Sequence, residues 1–251
     1  MCELLYPSNE LLSGIRLPES AMIAGEEHLA LRFLEGMKAE PLISFHSGQI
    51  TGYEFLSQLS AGICSETFFR QQSAGSLAEL FLLQLRLSSG LTTKKRFLNL
   101  PVRVLVRRSL CEIICRNNLN GIVVEIQDPE HLTDLCSEEQ DYLRQNLNHL
   151  LFAGAEVYAD DVSPAWMKTL FGRKLPLSGM KVSRQQFLSQ IDNYTFSHPR
   201  LHPSSDSATC LVAEGIETPE QCMLAIMLGF THGQGWLWPV NVWRFVLERS
   251  S

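Results

Sequence analysis

The run GIVVEIQD (residues 121–128) decides the fold. Ile122, Val123, Val124 and Ile126 follow one another too closely for a strand with one wet side, so the segment reads as a strand covered on both faces. Such a strand belongs to a sheet flanked by helices, and the neighbouring sequence supplies them. Upstream, RFLNLP (96–101) is a strand. Val102, Leu105, Val106, Leu110, Ile113 and Ile114 then mark one apolar face of a helix that starts just after Pro101. Downstream, residues 138–152 read as a helix and AEVYADD (155–161) as the next strand, with a short helix at 165–171.

The alternation continues in both directions. MKVS (180–183) and TCLVAEG (209–215) are strands. Residues 219–228 form a helix with Thr218 as N-cap and Pro219 at its first position. HGQGW (232–236) is a short strand, and Asn241 to Glu248 are expected to close the chain as a helix. Towards the start, Leu77 to Leu87 is a helix. PLISFHS (41–47), a Gly48-Gln49 turn and YEFLS (53–57) are a hairpin. Leu29, Phe33, Leu34 and Met37 have helical spacing. Residues 1–23 show no period and are expected to be a tail or cap before a domain spanning 24–251. Strands and helices in this alternation predict a TIM-type (β/α)8 barrel that opens with a β-hairpin. HPRLHPSSDS (198–207) has loop composition, so one helix near 190–208 is expected to be short or missing.

Composition narrows the function. Across 251 residues the net charge is -6, which argues against direct nucleic-acid binding and against an anionic membrane surface. The stretch Cys222–Trp243 carries no charge, but Gly229, His232, Gln234 and Pro239 exclude it as a membrane span. The seven cysteines are odd in number and form no CxxC. They are expected to be reduced thiols of a cytoplasmic protein. The first Lys or Arg is Arg16, so no secretory signal is expected.

The polar residues fall where chemistry is built. Glu54, Asn99, Glu125, Asp160 with Asp161, Lys181, Glu214 and Gln234 all lie in or at the ends of predicted strands, and Glu217 follows close by. A single carboxylate there is ordinarily just solvated. Together, in a barrel, these groups converge on one mouth. Carboxylates with a carboxamide are hard oxygen ligands, suited to Mg²⁺ or Mn²⁺ rather than zinc.

The same residues resemble a known family, the EAL domain. EPLISFHSGQITGYEFL (40–56) is similar to its opening, with Glu54-Phe55-Leu56 in place of Glu-Ala-Leu. FLNLP (97–101), VEIQD (124–128), ADD (159–161), MKVSRQQF (180–187), VAEGIETPEQ (212–221) and LGFTHGQGWLW (228–238) resemble its later motifs in order. The resemblance implies a cyclic di-GMP phosphodiesterase that makes linear pGpG with two Mg²⁺ or Mn²⁺ ions, lowering a messenger that controls motility, adhesion, fimbriae and biofilm. Carried over, Glu54, Asn99, Glu125 and Asp160 hold one ion. Asp160 and Asp161 hold the second, with Glu214 also among the metal-site carboxylates. Lys181 and Glu214 position and deprotonate water, and Glu217 and Gln234 orient it. Leu56, Gln58, Gln234 and Trp236 are expected at the substrate. A homodimer is compatible with the family.

The chain departs from the family pattern at several places. Gln58 stands where an Arg usually contacts phosphate, and a neutral amide lacks the charge-assisted bond. Ser183 replaces an Asp, and VEIQD differs from the usual Glu-Ile-Thr-Glu at Gln127 and Asp128. DDVSPA (160–165) replaces a loop that usually carries two glycines. Two readings follow: an enzyme, or a weak or inactive EAL-like regulator that binds a flagellar or fimbrial transcription factor. The retained ring of acidic groups favours the enzyme, because unpaired buried carboxylates are costly. Trp236, Trp238 and Trp243 are candidates to stack a guanine, although such residues ordinarily pack.

Overall fold

The computed structural model describes residues 15–17, 33–163, 170, 174–192 and 210–247. In chain order the strands are β1 (Ile15–Leu17), β2 (Leu34–Ser44), β3 (Ile50–Leu59), β4 (Lys95–Pro101) and β5 (Ile122–Gln127). They continue with β6 (Glu156–Ala159), β7 (Gly179–Val182), β8 (Cys210–Ala213), β9 (His232–Gly233) and β10 (Asn241–Leu247). Strands β2 to β9 are bonded in sequence, and β9 pairs back onto β2, which closes a barrel of eight strands. β2 is antiparallel to β3 and to β9, while the pairs from β3 round to β9 are parallel. The expected (β/α)8 barrel with a hairpin start is therefore present.

The helices are α1 (Ser65–Gln71), α2 (Ala74–Ser88), α3 (Val102–Leu105), α4 (Arg108–Cys115), α5 (Ser137–Phe152), α6 (Arg184–Asp192) and α7 (Pro219–Met227). Thr218 caps α7 as expected: its side chain accepts from the Gln221 N–H at 3.2 Å, and Gln221 reaches back to the Thr218 N–H. The helix predicted after Pro101 is two pieces. Arg107 takes an extended backbone between them, and both pieces still bury apolar side chains, Leu105 from α3 and Ile114 from α4.

Two further predictions are corrected. Asn241 to Leu247 is a strand, not a helix. Val242, Trp243, Phe245 and Val246 are the β-branched and aromatic types that suit a pleated surface. The half of β2 not used by β9 offers free backbone groups, and Asn241 to Arg244 pair there with Ala39 to Gly36. Leu34 and Met37 belong to β2 rather than to a helix, whereas Leu29 lies outside the described residues. So do most of 165–171 and all of 198–207. No helix among the described residues is long and apolar enough to cross a membrane.

The barrel interior is layered. Side chains of a strand alternate, so residues two apart share a face. Leu42, Phe97, Val123, Tyr158 and Val212 form an apolar cluster of their own inside the ring. Phe97 meets Tyr158 edge to face, centroids 5.3 Å apart. Gly179 makes room for the Tyr158 ring: a Cβ there would come within 2.3 Å of it. Adding two to Phe97, Val123, Tyr158 and Val212 gives Asn99, Glu125, Asp160 and Glu214. The apolar floor thus fixes which residues form the polar layer above it. The larger core lies between the strands and the helices and includes Phe55, Phe81, Leu98, Ile126 and Phe187.

Candidate active site

One cation sits at the centre of the polar layer. Lys181 is 1% exposed, and its Nζ lies 2.7 Å from Glu54 Oε2 and 2.7 Å from Glu214 Oε1. Glu125 Oε1 is 3.1 Å away and Asp160 Oδ1 3.4 Å. Burial alone would strip Lys181 of its proton, but the fields of Asp160, Glu125, Glu214 and Glu54 hold it charged, well above the usual lysine range.

A single ammonium cannot neutralise four carboxylates. Burial would raise Glu54, yet the charge of Lys181 and hydrogen bonds from Lys181, Gln234 and Asn99 hold it down at about 2. Asn99 Nδ2 donates to Glu54 Oε1 at 3.0 Å, and Gln234 Nε2 donates to Glu54 Oε2 at 2.7 Å. The other carboxyls lack the Asn99 and Gln234 donors, although Lys181 also bonds Glu214. Burial pushes Asp160 up to about 6, with Lys181 opposing and Glu54 and Asp161 adding to the rise. Burial and the Glu54 charge drive Glu125 well above its ordinary range, and burial does the same to Glu214. Negative charge is therefore in excess, and the site calls for protons or further cations.

The donor set fits a metal. Asn99 Oδ1, both Glu125 carboxylate oxygens, Asp160 Oδ1 and Gln234 Oε1 are buried with no hydrogen-bond partner. Lys181 lies within charge contact of Glu125 without an aligned hydrogen bond to it. Such groups are costly unless something binds them. Glu54, Glu125 and Asp160 each offer an oxygen within 4.8 Å of the others. All these donors are hard oxygens, the preference of Mg²⁺ and Mn²⁺.

The remaining predicted residues surround this centre. A cavity of about 380 Å³ at the mouth is lined by Leu56, Asn99, Asp160, Asp161, Glu214, Glu217, Gln234 and Trp236, and Gln58 is not among its lining residues. The Gln58 side chain lies instead against Gly36. Asp161 is exposed and takes a left-handed backbone, φ 51°, which Asp tolerates better than most residues. The next residue, Val162, is buried and donates its N–H to the Lys181 carbonyl at 2.8 Å. Pro164 and Ala165 lie outside the described residues. Glu217 is paired with Arg184, whose guanidinium also lies over the Trp236 ring at 5.8 Å from its centroid. Trp243 is far from this role: it is buried and stacked on Phe55.

The sequence reading missed Glu40. Glu40 pairs with Glu54 directly across the hairpin, and Gln234 Nε2 donates to both, 3.0 Å to Glu40 Oε2. Lys38 Nζ holds the other Glu40 oxygen at 2.6 Å. The signal was available, since Glu40 stands two residues before the inward Leu42.

A family model for the EAL domain matches residues 35–239. The chain belongs to the EAL domain family. Solved structures agree on the fold. An EAL domain protein from Listeria monocytogenes EGD-e is 17% identical, with 88% of this chain and 93% of that one covered and a TM-score of 0.60. The FimX EAL domain from Pseudomonas aeruginosa, bound to c-di-GMP, is 16% identical over 86% of this EAL protein and 97% of that chain, TM-score 0.67. BlrP1 of Klebsiella pneumoniae, in a manganese and cy-diGMP complex, is 17% identical over 90% and 66%, TM-score 0.58. Among curated proteins none matches by sequence.

Proposed function

We propose that this EAL protein hydrolyses cyclic di-GMP to linear pGpG in a reaction that depends on Mg²⁺ or Mn²⁺. The observation that carries the reading is the set of partnerless buried oxygens on Asn99, Glu125 and Asp160 beside Lys181. Glu54, Asn99, Glu125 and Asp160 would hold one ion, and Asp160 with Asp161 and Glu214 a second. Bound there, divalent ions lower the pKa of a water and offset charge on phosphoryl oxygens.

The chain's own groups do the rest. Lys181 fixes the orientation of Glu54 and Glu214 through its two shortest contacts. Glu214, which Lys181 and a bound divalent ion would keep ionised, is placed to accept a proton from the attacking water as a phosphodiester bond opens. Gln234 holds Glu40 and Glu54 apart at hydrogen-bond distance, which fixes the geometry of the acidic wall. Arg184 keeps Glu217 in place and backs Trp236, whose exposed ring is a surface for a guanine. Hydrolysis would lower the messenger in the cell.

The test is purified protein with cyclic di-GMP and Mg²⁺ or Mn²⁺, the nucleotides separated by chromatography. Linear pGpG is expected. No linear product at stoichiometric protein overturns the reading, and calorimetry with Ca²⁺ then separates lost chemistry from lost binding. A protein that neither cleaves nor binds the nucleotide leaves the transcription-regulator reading, which a stoichiometric pull-down would test.

A further inference from the structure

The opposite end of the barrel holds a second group of reactive side chains. Cys210 opens β8 and His232 opens β9, and Cys210 Sγ lies 3.0 Å from His232 Nδ1. Thr231 Oγ1 is 3.0 Å from the same Nδ1. The Thr231 hydroxyl is already engaged with the Leu211 backbone, donating to its carbonyl and accepting from its N–H, both at 3.0 Å. Cys210 Sγ is also 3.5 Å from Thr231 Oγ1, so sulfur, hydroxyl and imidazole form one cluster in which the Sγ–Nδ1 contact is the shortest that the sulfur makes. Burial and the charge of Lys95 hold His232 below its ordinary pKa, so the ring is a neutral imidazole. Tyr158 lines the same cavity as Cys210.

This group faces a cavity of about 650 Å³, lined by Cys210, His232, Tyr158, Gln49, Lys94, Lys95 and Glu156 among others. That is the size range of small-molecule pockets. Lys95 is paired with Glu156 at 2.5 Å, which leaves Lys94 as the net positive charge of the wall, so the cavity favours an anion. A cysteine with a base in hydrogen-bond reach is the arrangement that makes a thiol nucleophilic.

We infer that Cys210 is a thiol–disulfide exchange site, with His232 as its base, for an anionic low-molecular-weight disulfide. Cys210 gives its proton to His232 Nδ1, and the sulfur attacks one sulfur of the disulfide. The S–S bond of the reagent breaks as the mixed disulfide forms. The departing thiolate takes the proton back from His232, so a thiol leaves and nothing else is consumed.

The reduced chain of 251 residues in EDTA is treated with oxidised glutathione, and adducts are mapped by mass spectrometry over time. Cys210 is expected to be modified ahead of Cys136, which is exposed but has no imidazole partner among its hydrogen bonds. His232→Gln is expected to slow Cys210 about tenfold, because an amide cannot take the thiol proton as the imidazole does. Buried Cys111 stays unlabelled while the variant is folded, so its labelling reports unfolding. The wild-type order of Cys210 and Cys136 needs no variant. Cys136 reacting first, or a folded His232→Gln with Cys210 at the wild-type rate, overturns the site. Cystamine, a cationic disulfide, is expected to react more slowly; equal or faster reaction overturns the anionic partner.

Discussion

Replacing Lys181 by Met leaves Glu54, Glu125, Asp160 and Glu214 facing one another without their shared cation. The shape is nearly kept, so the loss is electrostatic. Removing one partner of a buried charge cluster costs about 3–5 kcal/mol, which for a chain of this size lowers Tm by about 6–20 °C. The sign with pH follows from the titrations. Glu125, Glu214 and Asp160 bind protons more tightly in the folded chain, so their contribution to stability is present at low pH and lost as pH rises through their folded values. Without Lys181 those values rise further. Glu54, held at about 2 by Lys181, loses a contribution that exists only above its unfolded value. Both effects make the deficit large at pH 7.5 and smaller at pH 5. Thermal melts in EDTA at the two pH values measure it, and Mn²⁺ should restore more stability to the variant than to the wild type. A variant as stable as the wild type at pH 7.5, or a deficit that does not shrink at pH 5, refutes the shared-cation account.

In the wild type without metal, Asp160 rising to about 6 should make stability fall by up to about 3 kcal/mol as pH climbs from 4 past 6, and Mn²⁺ should flatten that slope in a Tm series. Asn99→Ala removes both a partnerless oxygen and the donor to Glu54; calorimetry should find Mn²⁺ affinity down about 10- to 100-fold. Trp236→Ala should leave stability within about 0.5 kcal/mol, since the ring is 78% exposed. Its cyclic di-GMP affinity should drop by the roughly 1–3 kcal/mol that a stacked base contributes; equal affinity in equilibrium binding would remove Trp236 from the substrate.

Most of the barrel was legible because strands and helices write their own period into the chain. IVVEI and FLNLP each carry an apolar floor residue and, two positions on, a polar one. That local spacing is enough to place Glu125 and Asn99 on the interior face. The motif order from Glu54 to Gln234 was equally readable. Where local pattern was ambiguous the reading failed: Asn241 to Leu247 has spacing compatible with a helix, and its strand depends on a partner, β2, some two hundred residues earlier.

The sequence by itself determined which residues line the barrel and that an acidic ring with one lysine stands at its mouth. Only the tertiary structure decided how those charges share. Lys181 and Glu54 are 127 positions apart and Gln234 and Glu54 are 180 apart. Which carboxyl is held ionised and which is driven towards its neutral form depends on those contacts and on burial. The same holds for Glu40 opposite Glu54 and for Cys210 against His232. Electrostatic and proton-sharing energies change over an ångström or two, and that scale is set by how the strands close into a ring, which no local pattern contains.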